Sequence, residues 1–128
     1  DDKYAELTRK KICLEKLSNI ARVVTAELKL QTINGQNFMW YENSFKNEIK
    51  PDIDLLIVDG PSRIINKNAR YPALPLLKDH FSDNIVILVD DGKRKDDSDT
   101  VNRWINEWGH FESEFFDTEK GAYILRKK

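Results

Sequence analysis

Two stretches of this chain share a pattern that few folds accommodate twice: "DLLIVDG" at 54–60 and "NIVILVDDG" at 84–92 each run apolar and end in carboxylates followed by glycine. A run that is apolar on successive residues is covered on both faces, which suits the middle of a parallel sheet better than a half-exposed edge. Between the two lie 23 residues, 61–83, enough for a crossover connection, and such connections are right-handed. Two parallel strands joined this way deliver their carboxyl ends to the same rim. Asp59, Asp90 and Asp91 should therefore open onto one edge, where ligands of open α/β sheets collect.

The rest of the chain fits this scheme. Residues 2–17 place Tyr4, Leu7, Leu14 and Leu17 on one helical face, with Lys11 interrupting the stripe. "IARVVTAEL" at 20–28 is rich in β-branched residues and predicts a strand. Asn34-Gly35 predicts a turn, and Trp40-Tyr41 sit near a second short element. "GPSRIINKNAR" reads as a loop. "YPALPLLKDHF" holds Pro72 and Pro75, tolerable where both fall in the first turn of a helix. Val101, Trp104, Ile105 and Trp108 recur at helical spacing, with Ser98 or Asp97 as the cap and Gly109 as the stop. "FESEFFD", "TEKG" and "AYILRKK" form an antiparallel hairpin. Strands alternating with helices predict one α/β domain over 1–128, a mostly parallel open sheet with helices on both faces.

Composition narrows the function. Lys and Arg number 21 against 22 acids, a net charge of −1, with no basic stripe to draw nucleic acid or an anionic membrane. Cys13 is the single cysteine, and no Cys/His cluster has zinc-like spacing, which points to a reducing, cytoplasmic setting. No apolar run approaches the roughly 20 residues of a membrane span. The five glycines include no G-x-G pair, so a phosphate cradle is absent from this stretch. "DGPS" lacks the elbow of a serine hydrolase. His80 and His110 have no partner motif and read as surface or packing residues. Trp40-Tyr41 could stack on a flat ligand or pack in the core. Arg94 is placed to neutralise the rim acids or a substrate carboxylate.

Converging carboxylates repel, so they need a cation or strong donors beside them. An all-oxygen set suits Mg²⁺ or Ca²⁺ rather than zinc, and a bound Mg²⁺ could prepare a hydroxyl as nucleophile. The plainer alternative is that each Asp caps a turn or helix. Clustered acids on a parallel sheet also describe phosphoacceptor modules, but those place the pair on the first strand and a Lys on the last.

The succession "ARVVTAEL", "WYE", "DLLIVDGPS", "ARYPALPLLKDHF", "NIVILVDDGKR", "VNRWINEW" and the closing hairpin resembles class I S-adenosylmethionine-dependent methyltransferases, in particular the catechol O-methyltransferase-like small-molecule group. The resemblance implies a three-layer Rossmann-like sheet closed by an antiparallel hairpin. It implies that Ala26 and Glu27 lie beside the adenine, and that Asp59, Asp90 and Asp91 hold a divalent metal such as Mg²⁺ or orient the substrate or the methionine part of the cofactor, with Asp59 counted among the cofactor-binding residues. Where that group has Asp then Asn, this chain has Asp90 then Asp91. The family's first strand, Gly-rich turn and ribose-binding acid would precede Asp1, so the chain is expected to be the C-terminal portion of a longer domain. The expected activity is methyl transfer to a small-molecule acceptor, most plausibly a hydroxyl oxygen. The alternative is a non-catalytic interaction domain that keeps the fold.

Overall fold

In the computed structural model, which describes residues 2–128, helix α1 (Asp2–Leu14) leads through an irregular segment to strands β1 (Leu28–Ile33) and β2 (Gln36–Tyr41). A 3₁₀ turn (Asn43–Glu48) precedes strand β3 (Ile53–Val58). A long loop then reaches helix α2 (Ala73–Leu77) and, after a second 3₁₀ turn, strand β4 (Phe81–Asp90). Helix α3 (Lys95–Glu107) and the hairpin β5 (Phe111–Phe116) and β6 (Ala122–Lys127) complete the chain. β1 and β2 form a separate two-stranded ribbon, and the remaining strands form one sheet in the order β3-β4-β6-β5. No helix of the described residues is long and apolar enough to cross a membrane.

The parallel pairing inferred from the two acid-terminated runs is present. β3 and β4 run side by side with Leu55 opposite Val86 and Val58 opposite Val89, so Asp59 and Asp90 emerge together. The mostly parallel sheet is not: β4 pairs antiparallel with β6, and β6 with β5, leaving one parallel ladder of three. β3 is an edge strand rather than a central one among the described residues. Leu55 and Ile57 on its outer face are 57% and 61% exposed. Val86, Leu88 and Ile124 continue that face, each half-buried.

The opposite face carries the core. Ile85, Ile87 and Val89 alternate inward from β4 and meet Leu125 of β6, Val101 and Trp104 of α3, Leu74 of α2, and Phe38 and Trp40 of the ribbon. Helices on both faces are therefore not found among the described residues. α1 forms where expected but buries none of its side chains, and its stripe of Tyr4, Leu7 and Leu14 stays exposed. The strand expected over 20–28 starts only at Leu28. Residues 21–27 are irregular because β-branched residues favour a strand only where a ladder partner is available, and among the described residues the segment gains a cross-strand backbone bond only at Glu27, from the Glu42 amide.

Turn chemistry worked as the residues dictate. Asn34 and Gly35 take φ of +50° and +76°, the mirror-image turn that matches strand twist. Pro72 caps α2, with Pro75 in its first turn. α3 starts at Lys95 rather than at the expected Asp97 or Ser98. The reason is that Asp97 turns its carboxylate toward Arg70, and the Ser98 hydroxyl donates to the Lys95 carbonyl.

Tyr71 joins these layers. It is fully buried, stacks on Phe38 at 5.2 Å, and accepts at its carbonyl a 2.9 Å bond from Trp104 Nε1. Its hydroxyl donates to Glu107 and accepts from Asn34 at the ribbon turn. Removing the Trp104 ring deletes a large packed group and leaves that carbonyl without its donor. Trp104→Ala is expected to cost about 3–5 kcal/mol in urea denaturation, and Trp104→Phe about 1–3 kcal/mol; an alanine cost near zero would contradict this account of the core.

Candidate functional site

The rim is built by two strand ends and held open by steric constraints on its glycines. A side chain at Gly60 would bring its Cβ within 2.9 Å of the Tyr41 hydroxyl, and one at Gly92 would sit 3.1 Å from the Ala122 backbone nitrogen. That close approach is why glycine follows the acids in both motifs. Asp91 lies in the left-handed region at φ +60°, which Asp tolerates better than most residues. Gly92 and Lys93 then donate to the carbonyls of Gly121 and Lys120, extending the β4–β6 ladder past the acids.

The three expected acids converge: Asp59, Asp90 and Asp91 each offer an oxygen within 4.8 Å of the others. They differ sharply in setting. Asp59 is exposed, Asp90 half-buried and Asp91 buried. The residue that organises them is Arg70, which the sequence left in a loop. Its side chain is only 6% exposed. Nη2 donates to Asp91 Oδ2 at 2.9 Å, to Asp59 Oδ1 at 3.2 Å and to the Asp59 carbonyl at 3.3 Å. Nη1 donates to the Asp90 carbonyl at 2.7 Å and lies 3.2 Å from Asp97 Oδ1. Arg94, expected near the rim, sits 2.6 Å from Asp91 Oδ2.

These contacts are not equal in worth. The Arg70 pairs with Asp91 and Asp97 are buried on both sides, where losing one partner costs several kcal/mol, on the order of 3–5. The pair with Asp59 has one partner in water and contributes about 0–1 kcal/mol. The Asp90 carboxylate takes no hydrogen bond from the described residues, and Asp91 Oδ1 is buried without a partner. Those two groups are the acceptors left over once the arginines are in place. The grouping that a divalent ion would need is therefore present, but two of its three carboxylates already take guanidinium groups as partners, and those fixed positive charges beside them oppose a dication.

Ala26 lies on the wall of a pocket of about 250 Å³ formed with Ala5, Val24, Thr25, Tyr41 and Phe45. Glu27 points elsewhere: it is exposed, and its carbonyl accepts from the Glu42 amide. Tyr41 connects this pocket to the rim. Burial pushes its hydroxyl above the ordinary tyrosine range, while the charge of Arg70 pulls the other way and that of Asp59 adds to the rise. Trp40 faces the core instead, so the two adjacent aromatics divide the packing and the pocket between them. A wider open cleft of about 630 Å³ beside Glu107 and Trp108 touches none of the rim acids.

Sequence reading missed Arg70 and Asp97. The signal for Arg70 was available in principle: three acids at one rim demand a cation, and Arg70 directly precedes the buried Tyr71. Nothing marked Asp97 as other than a helix cap. Burial raises the Asp97 carboxyl above the usual range, with Arg70 and then Arg94 opposing it and Asp91 and Asp96 reinforcing it. A carboxyl raised on folding stabilises the fold fully below its unfolded value, about 4, and that contribution is lost as pH rises through the folded value. Wild-type stability relative to the Asp97→Asn variant is thus expected to fall as pH rises from about 4 toward neutrality. Paired thermal melts across that range check it, and a flat or rising difference would contradict it.

No family model and no curated protein matches the sequence. Solved structures do match. A methyltransferase from Geobacter sulfurreducens superposes with a TM-score of 0.65 at 12% identity, covering 99% of this chain and 54% of that one. The SAH-bound Podospora anserina methyltransferase PaMTH1 gives a TM-score of 0.65 at 12% identity, covering 100% of this chain and 58% of that one. The chain thus spans just over half the length of each, and over that span its fold is a methyltransferase fold.

Proposed function

We propose that this chain contributes the acceptor-side half of an S-adenosylmethionine-dependent methyltransferase acting on a small molecule, through a hydroxyl oxygen. The observation that carries the reading is the connection, through Tyr41, of the pocket at Ala26 to the acid rim. At about 250 Å³ the pocket lies below the roughly 300–1,000 Å³ that encloses a drug-sized ligand. That size suits a flat base against Tyr41 and Phe45 rather than a whole cofactor.

The cofactor, when bound, supplies an activated methyl group, and the protein's work is alignment and exclusion of water. Asp90 is the rim carboxylate left free to accept the proton of an acceptor hydroxyl, whose oxygen would gain the methyl group as the methyl–sulfur bond of a bound sulfonium broke and the sulfur left as a neutral thioether. Arg70 holds the backbone carbonyl of Asp90 and so fixes where that carboxylate stands. The PaMTH1 structure, bound to SAH, is consistent with this choice of cofactor.

The exposed outer face with Leu55 and Ile57 favours a second reading, an interaction domain that keeps the fold without the chemistry. Two measurements separate them. In a protein that also supplies the remaining half of the fold, calorimetric titration with S-adenosylmethionine is expected to give saturable binding, and Asp90→Ala is expected to lower kcat at least a hundredfold while leaving the circular dichroism and melting curve unchanged. A cooperative melt with no cofactor binding supports the interaction domain, and unchanged turnover in Asp90→Ala removes Asp90 from the mechanism.

A further inference from the structure

We propose that Arg70 is a built-in cation that takes the place of a divalent metal at this rim, so that the three acids are organised by the protein's own charge. The inference concerns the same rim as the proposed methyl-transfer site but does not depend on that activity.

Arginine suits the role for chemical reasons. Its guanidinium carries a permanent charge and a planar fork of five donors, which can satisfy several oxygens at once without losing its proton. Here the fork reaches both strand-end carbonyls and three carboxylates: Asp59, Asp91 and Asp97. A metal at the strand ends would draw on the same Asp59 and Asp91 side chains. Mg²⁺ demands six oxygens in near-octahedral array and usually keeps several waters. A dication at the rim would stand against two guanidiniums already paired to Asp91.

Arg70 is also held from behind. The following residue, Tyr71, is fixed by Trp104 Nε1 and Glu107, and the loop amide of Asn68 donates to Asp96 in the first turn of α3. The cation is thus anchored by the core rather than by the acids alone, as a resident charge must be.

The test uses Mn²⁺ as a spectroscopic probe, followed by the loss of its free electron paramagnetic resonance signal. Wild-type protein is expected to bind no Mn²⁺ below millimolar concentration. Arg70→Ala and Arg70→Gln are expected to gain at least tenfold in affinity, a gain removed by adding Asp90→Ala, and added Mn²⁺ should recover part of the melting temperature the single variants lose. Wild-type binding in the micromolar range that Asp90→Ala abolishes would overturn the proposal, whether or not the Arg70 variants fold. So would folded Arg70 variants that gain no affinity, because the acids would then not be a cation site at all.

Discussion

The Arg70 guanidinium is the contact on which the rim depends, because among the described residues it alone joins the ends of both parallel strands to the first turn of α3. It binds the carbonyls of Asp59 and Asp90 and the carboxylates of Asp59, Asp91 and Asp97. A charge this deeply buried is costly unless every donor finds a partner, and breaking such a set is costlier than never having built it. The cluster is therefore weak evidence for net stability but strong evidence for a fixed geometry. Core and rim are coupled through one peptide unit: Arg70 reaches outward to the acids while Tyr71 turns inward to Phe38 and Trp104.

The same economy explains the motifs that close both strands. A side chain at Gly60 would crowd the Tyr41 hydroxyl, and one at Gly92 would crowd Tyr123 and the β6 backbone at Ala122. With those neighbours in place, Asp91 is drawn inward to two arginines while Asp90 remains at the surface of the rim. Adjacent acids in sequence thus acquire different settings, one buried against two guanidiniums and one half-buried without a hydrogen-bond donor among the described residues. Tyr41 has a comparable dual position, lining the pocket at Ala26 while limiting what can stand at position 60.

The two faces of the sheet are treated unequally. One meets α2, α3 and the β1–β2 ribbon in a continuous core, and the other presents Leu55 and Ile57 to solvent beside the half-buried Val86, Leu88 and Ile124. The run at 54–59 reads as a central strand because it is apolar on both faces, yet among the described residues β3 lies at the sheet edge.

Local chemistry by itself determined most of the elements and the existence of the rim. The 3.6-residue recurrence of Val101, Trp104, Ile105 and Trp108 specifies α3, Asn34-Gly35 specifies a hairpin turn, and two apolar runs ending in acids specify parallel neighbours. Those signals survive because each depends on residues close in sequence. Tertiary structure alone decided that residues 20–27 stay out of a ladder, that the sheet is mostly antiparallel, and that Asp97 serves Arg70 instead of capping its helix. Strand pairing needs a partner and a buried charge needs a counter-charge, and both partners lie far away along the chain. Arg70 and Asp91 stand 21 positions apart, so only folding brings together the pair that defines the site.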